Sequence, residues 1–123
     1  MKETLAMQSV ISLEDFEWTP FSVESSQGYE FKFGILGKEY TGAYSVDLVR
    51  VAPGGFSPVH IDPDNHAFYF IEGTGSVTIA CETHEVRPGS VVKIPFGALH
   101  SIQNTGEEHL LFLTIYDPPR QRG

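Results

Sequence analysis

Three of the five histidines in this 123-residue chain, His60, His66 and His100, stand beside turn-forming residues at the ends of apolar, strand-like runs. Imidazole is the commonest neutral ligand for divalent first-row metals, and a rigid β scaffold can bring such side chains from separate strands to one point. Asp62 follows His60 by two residues, so an extended backbone would project both side chains from one face. A carboxylate can thereby join the imidazoles. Asp62 before Pro63 also has the form of an ordinary turn starter, whose side chain bonds the backbone two residues on. His84 and His109 are assigned to the surface: the first falls in an expected outer strand, and the second follows Glu107 and Glu108.

The elements that must position these side chains are short. Apolar residues alternate or run briefly between Gly, Pro, Asn and Asp and keep no helical spacing over any long window, which is the pattern of an all-β chain. Strands are expected at 29–34, 40–51, 55–60, 67–72, 76–81, 83–86, 90–94, 100–104 and 110–116. Turn signals separate them: Pro53-Gly54-Gly55, Asp62-Pro63-Asp64-Asn65, Gly73-Thr74-Gly75, Pro88-Gly89, Pro95-Phe96-Gly97 and Asn104-Thr105-Gly106. Even spacing of this kind suggests a sandwich or small barrel with side chains alternating between interior and outer face.

Composition narrows the function classes. Sixteen acidic against eight basic residues give a net charge of −8, which opposes binding to phosphate backbones or anionic membrane, so neither nucleic acid nor membrane is an expected partner. Cys81 is the single cysteine, excluding an internal disulfide and a thiolate-rich zinc site. A chain of this length buries about two thirds of its unfolded surface, enough for a core without such staples. No apolar run approaches the roughly 20 residues of a membrane helix. Residues 1–11 lack the basic start, apolar stretch and cleavage site of a signal peptide, and a cytoplasmic location is expected.

Two stretches, 55–73 and 89–104, resemble the paired signature motifs of the cupin superfamily, small RmlC-like jelly-roll β-barrels that commonly bind a metal. The second motif is matched at every fixed position by Gly89, Pro95, Gly97, His100 and Asn104. The first is altered. Gly55 precedes His60 by one residue fewer than the strict spacing, Asp62 stands where a second histidine is usual, and His66 stands where a glutamate is usual, with Gly73 following. The resemblance spans roughly residues 40–116. A single barrel is expected over residues 29–117, with an N-terminal arm or edge strand over 1–28, where Phe16, Trp18 and Phe21 stand among acidic and small polar residues, and a loose tail over 118–123. Cupins commonly pair through their sheets, often exchanging N-terminal strands; the aromatic stretch 16–21 suits that role, and a homodimer is expected.

The resemblance implies a divalent transition metal, with Fe(II) favoured and Zn, Mn, Ni or Co open, held among His60, Asp62, His66 and His100. Two donor sets stay open. His60, His66 and His100 would look like the three-histidine iron centres of some cupin dioxygenases, with Asp62 beside them. Alternatively His60, Asp62 and His100 would form a two-histidine, one-carboxylate face, with His66 a fourth ligand or an acid/base group. Asp62 and His66 are therefore the candidate catalytic residues. Alternation from His66 puts Phe68 and Phe70 on the ligand side, where with Ile102 they would line an apolar substrate pocket. Tyr44, Val46, Leu48 and Arg50 share a strand face, and with that face inward Arg50 would pair a substrate carboxylate. Asn104 is assigned to fixing the loop that carries His100. The expected function is that of a metal-dependent enzyme on a small organic substrate, with dioxygenase (oxidoreductase) chemistry first. Redox-neutral isomerase, cyclase or lyase chemistry and non-catalytic sugar or small-ligand binding are the alternatives.

Overall fold

The computed structural model describes residues 8–21 and 25–120, and their regular structure is all-β apart from one 3-10 turn at Leu13–Asp15. The strands are β1 (Thr19–Pro20), β2 (Gln27–Leu36), β3 (Ser45–Phe56), β4 (Asn65–Glu72), β5 (Gly75–Ile79), β6 (Glu82–Val86), β7 (Val91–Ile94), β8 (His100–Gln103) and β9 (Leu110–Asp117). Neighbours are antiparallel in the order β6-β5-β8-β3-β9-β4-β7, and β2 pairs with β3 while carrying β1 on its other edge. Curling this sheet gives an inner face, where Phe31, Val49, Val51, Phe68, Phe70, Val77, Ile102 and Phe112 pack together. Period-two alternation sorts the rest. In β9, Leu110, Phe112, Thr114 and Tyr116 are buried while Leu111, Leu113 and Ile115 lie on the outer side.

The outer face carries a second cluster of Ile35, Val46 and Leu48, against which Phe16, Trp18 and Tyr44 pack. Within this chain Phe16 and Trp18 of the aromatic stretch pack on the outer face of the barrel, and β1 adds an edge strand to β2. Lys32 Nζ donates to Leu13 O at 2.7 Å and lies 4.9 Å from the Trp18 ring centroid, so the stem and charge of one lysine tie the N-terminal segment to β2.

Arg50 belongs to this outer face and not to a pocket. Inward places on β3 are taken by Val49 and Val51, which turns Arg50 out to pair with Glu30 Oε1 at 2.7 Å and to stack over Trp18 at 4.1 Å. Phe70 points inward as expected but is fully buried against Phe112, with ring centroids 4.9 Å apart, below the cavity rather than on its wall.

Three boundaries differ from the sequence reading. Residues 40–44 are not strand: a turn closes on Gly37, whose carbonyl accepts from both Tyr40 N and Thr41 N, and bends lead from it to β3. Pro53-Gly54-Gly55 does not end a strand: β3 runs through it as a bulge opposite Gly28, and there is no separate strand at 55–60. Gly54 adopts φ +79°, and a Cβ on Gly55 would lie 2.7 Å from Gln27 O, so glycine lets β3 bend against β2 without breaking. The hairpin between β5 and β6 turns on Ala80 and Cys81, both at positive φ, residues that carry none of the usual turn signal.

Candidate metal centre

Each histidine reaches the centre by a different local device. His60 lies beyond the end of β3 and His100 opens β8; the two residues exchange both backbone hydrogen bonds at 3.0 Å as an isolated antiparallel bridge. Phe56 pairs with Gln103 just before it, and the Ser57 backbone and hydroxyl close on Ile102, so the 57–60 segment is held along β8 without being a strand. His66 is an inward residue of β4, 6% exposed, flanked by Phe68 and Tyr116. Asp62 comes from the loop between β3 and β4.

The rings converge on one atom. Asp62 Oδ2 lies 2.9 Å from His60 Nε2, 2.9 Å from His66 Nε2 and 3.0 Å from His100 Nε2. All four residues predicted from sequence are therefore together. The donor atoms of His60, Asp62 and His100 all lie within 4.8 Å of one another. The far nitrogens decide the tautomers. His60 Nδ1 sits 2.8 Å from Pro58 O and His100 Nδ1 3.0 Å from Ala98 O; a carbonyl can only accept, so each Nδ1 carries the proton and Nε2 of the neutral ring is bare. Arg120 Nη2 donates to His66 Nε2 at 3.2 Å, which makes that nitrogen an acceptor as well.

Burial alone would raise the Asp62 carboxyl pKa, but the contacts from His100, His60 and His66 outweigh it and hold it well below the usual carboxylate range. The oxygen is thus anionic. Those contacts favour the carboxylate only while the rings donate Nε2–H to it. With the Nε2 atoms of His60 and His100 bare, the same oxygen about 3 Å away is repelled by them, and a cation between them relieves this in addition to Arg120 on the His66 side. The donor set therefore fits a divalent transition cation, whose usual ligands are imidazole nitrogen and carboxylate oxygen. His66 Nδ1 is buried and makes no hydrogen bond; Asp64 Oδ1 lies 2.9 Å from it but outside hydrogen-bond geometry.

Sequence reasoning missed Arg120 and Asp64. The segment after Asp117 was expected to hang loose, yet Arg120 N donates to Ser45 Oγ at 2.8 Å and its guanidinium turns into the site. There it binds Asp64 Oδ2 through Nε at 2.9 Å and Asp62 Oδ1 through Nη2 at 3.1 Å, stacked 4.3 Å from the Tyr116 ring centroid. Burial of the guanidinium acts to lower its pKa, but Asp64, Tyr116 and Asp62 together raise it, so the charge stays. No motif carries this arginine. Tyr116 was readable from the inward alternation of β9, and Asp64 only as a turn residue. Asn104 fixes a different loop from the one expected: its Nδ2 donates to Val51 O and Glu108 O and its Oδ1 accepts from Gly106 N, tying the β8–β9 turn to β3.

A cavity of about 90 Å³ opens beside the cluster, walled by Phe68, Ile102, Phe112, Thr114 and Tyr116 with Tyr29 and Ser57. Phe68 and Ile102 stand where the sequence placed them.

A curled antiparallel jelly-roll sheet with imidazoles and a carboxylate gathered on its inner side defines a small half-barrel protein with a candidate metal site. The chain matches the family described as Cupin domain over residues 47–116, and it belongs to that family. It is 33% identical over 75 residues to oxalate decarboxylase OxdC of Bacillus subtilis, covering 56% of this chain and 20% of that protein. It is 33% identical over 97 residues to auxin-binding protein 1 of Arabidopsis thaliana, covering 69% of this chain and 48% of that one. The chain thus spans a fifth to a half of these relatives' lengths. Among solved structures, the polyketide cyclase RemF from Streptomyces resistomycificus superposes with a TM-score of 0.82 over 94% of this chain and 83% of that one, at 20% identity. At that identity the likeness shows the fold. No helix among the described residues is long and apolar enough to cross a membrane.

Proposed function

We propose that this chain is a metal-dependent cupin enzyme acting on a small organic molecule, with His60, Asp62 and His100 as metal ligands. The observation that carries this reading is the convergence of three Nε2 atoms on Asp62 Oδ2. The guanidinium of Arg120 against His66 favours this two-histidine, one-carboxylate set over a three-histidine set, because it already occupies the His66 donor. When bound, the metal supplies Lewis acidity and, as Fe(II), an open face for substrate and O₂.

The chain's own residues do the rest. Phe68, Ile102 and Phe112 exclude water from the cavity and receive the apolar body of the substrate. Arg120 keeps positive charge at its mouth in a protein of net charge −8, which suits an anionic or enolic substrate end. His66, buried with Asp64 beside its Nδ1, is positioned to hold or move a proton. That couple also supports a redox-neutral reading, in which the substrate is isomerised, cyclised or cleaved without O₂. Anaerobic loading with Fe(II), then O₂ uptake on small enols and diketones, tests the dioxygenase reading; turnover that persists without O₂ replaces it with the redox-neutral one. No metal retained by protein purified without chelator would overturn both. Pairing of barrels through their sheets is part of the proposal, and light scattering that shows only a 13.6 kDa species would remove it.

A further inference from the structure

The cavity beside the metal-site residues holds a polar group that the proposed chemistry leaves unused. Tyr29 reaches it from β2, in register with Val51 of β3. Its phenol oxygen is buried and makes no hydrogen bond of good geometry among the described residues. The hydroxyl near it is that of Ser57, whose oxygen already accepts from Ile102 N at 3.0 Å. Ser57 Oγ keeps a second lone pair, but it does not meet the phenol in hydrogen-bond geometry, so among the described residues the phenol proton has no well-placed acceptor. Buried polar groups in folded proteins are nearly all satisfied, and exceptions cluster where a ligand supplies the partner.

We propose that Tyr29 is a specificity-determining residue that donates a hydrogen bond to a neutral oxygen, a carbonyl, ether or hydroxyl, on the substrate body, while the substrate's other end meets the metal. The group keeps a proton to donate, and its oxygen retains lone pairs that can accept. Burial pushes its pKa up to about 12, against a weaker opposing pull from Ser57, so the phenol keeps its proton at neutral pH. The cavity it enters is walled by Phe31, Val49 and Phe112 together with the hydroxyl residues Ser26, Ser57 and Thr114. A cavity of about 90 Å³ limits the ligand to a handful of non-hydrogen atoms beyond its metal-binding end. The ligand class is therefore a short molecule with two oxygen functions, one chelating and one neutral.

This inference rests on the metal-site reading, and the test separates the two. Protein loaded with Zn(II) is titrated with two hydroxamate pairs that differ by one CH₂→O exchange: butyrohydroxamate against methoxyacetohydroxamate, and pentanohydroxamate against 3-methoxypropionohydroxamate. In at least one pair, the preference for the ether over the hydrocarbon should be about fivefold greater in wild type than in Tyr29→Phe. Equal preferences in both pairs, with binding intact, would overturn the role of Tyr29 alone. No hydroxamate binding to the loaded wild type would overturn the metal-site reading and this one with it. Thermal unfolding of the metal-free proteins is the second readout. Tyr29→Phe should melt at or above the wild-type temperature, because it removes an unmet donor; a drop of several degrees would mark a structural hydrogen bond and overturn the proposal.

Discussion

His60 and His100 exchange both backbone hydrogen bonds, N to O at 3.0 Å in each direction, and their rings stand 4.4 Å apart. One isolated bridge thereby sets the spacing of two candidate metal-ligating side chains that come from distant parts of the chain. Both Nδ1 atoms are held by carbonyls two residues earlier, Pro58 O and Ala98 O, so the ring orientations follow from the backbone. Replacing either imidazole by Ala should keep the barrel, read by circular dichroism, and weaken metal binding by more than about 100-fold, beyond the loss typical of an outer partner. Metal analysis of protein purified without chelator checks both variants.

Asp62 and His66 separate the two donor sets. With Asp62 as a ligand, Asp62→Asn should lose metal as His100→Ala does, and His66→Gln should keep most of it while losing turnover. The reverse order, with metal kept in Asp62→Asn and lost in His66→Gln, would establish the three-histidine set.

Arg120 and Asp64 act as one unit at the site's edge, bonded at 2.9 Å through Nε and Oδ2. Asp64 is 5% exposed, so Arg120→Ala leaves a buried carboxylate unpaired and should cost about 2 kcal/mol of stability, the arginine being partly exposed. Removing a cation from beside His66 should also tighten divalent-metal binding. Urea unfolding of the metal-free protein and a metal titration read the two opposite effects.

Phe70 and Phe68 share a face but differ in role. Phe70 is fully buried against Phe112, and Phe70→Ala should cost about 3–5 kcal/mol. Phe68 walls the cavity, so Phe68→Ala should enlarge the space beside the metal site and admit longer hydroxamates than the wild type accepts. Unfolding midpoints and hydroxamate affinities distinguish them.

Tyr29 predicts an alkaline signature. Its folded pKa of about 12 lies above the value of 10.0 for a free phenol, so its protonated form is favoured by folding. That contribution is fully present below pH 10 and is lost as pH rises through 12, on the order of 2 kcal/mol in all. Tyr29→Phe should therefore lose less stability than wild type between pH 10 and pH 12, as followed by urea midpoints.

Much of the fold was readable because a strand writes its faces into the chain with period two. The inward set His66, Phe68, Phe70 and the outward Tyr69 follow from local alternation, and the barrel bears this out. The run through Pro53-Gly54-Gly55 was not readable. Glycines that end a strand and glycines that bend one look alike, and only the approach of β2, with Gln27 O against Gly55, distinguishes them. The Ala80-Cys81 turn was missed because neither residue type signals positive φ.

The sequence by itself determined the all-β class, the cupin resemblance and the four residues His60, Asp62, His66 and His100, because each depends on residue type and short-range spacing. The direction of Arg50, the entry of Arg120 and Asp64 into the site, and the unmet phenol of Tyr29 were decided only by tertiary structure. Each depends on which strands become neighbours: Val49 and Val51 claim the interior and turn Arg50 out, Ser45 anchors the chain end that delivers Arg120, and β2 lies across β3 to bring Tyr29 to the cavity. Contacts between residues far apart in the chain leave no periodicity to read. The same long-range packing supplies the charge and the hydrogen-bond donor beside the proposed metal site.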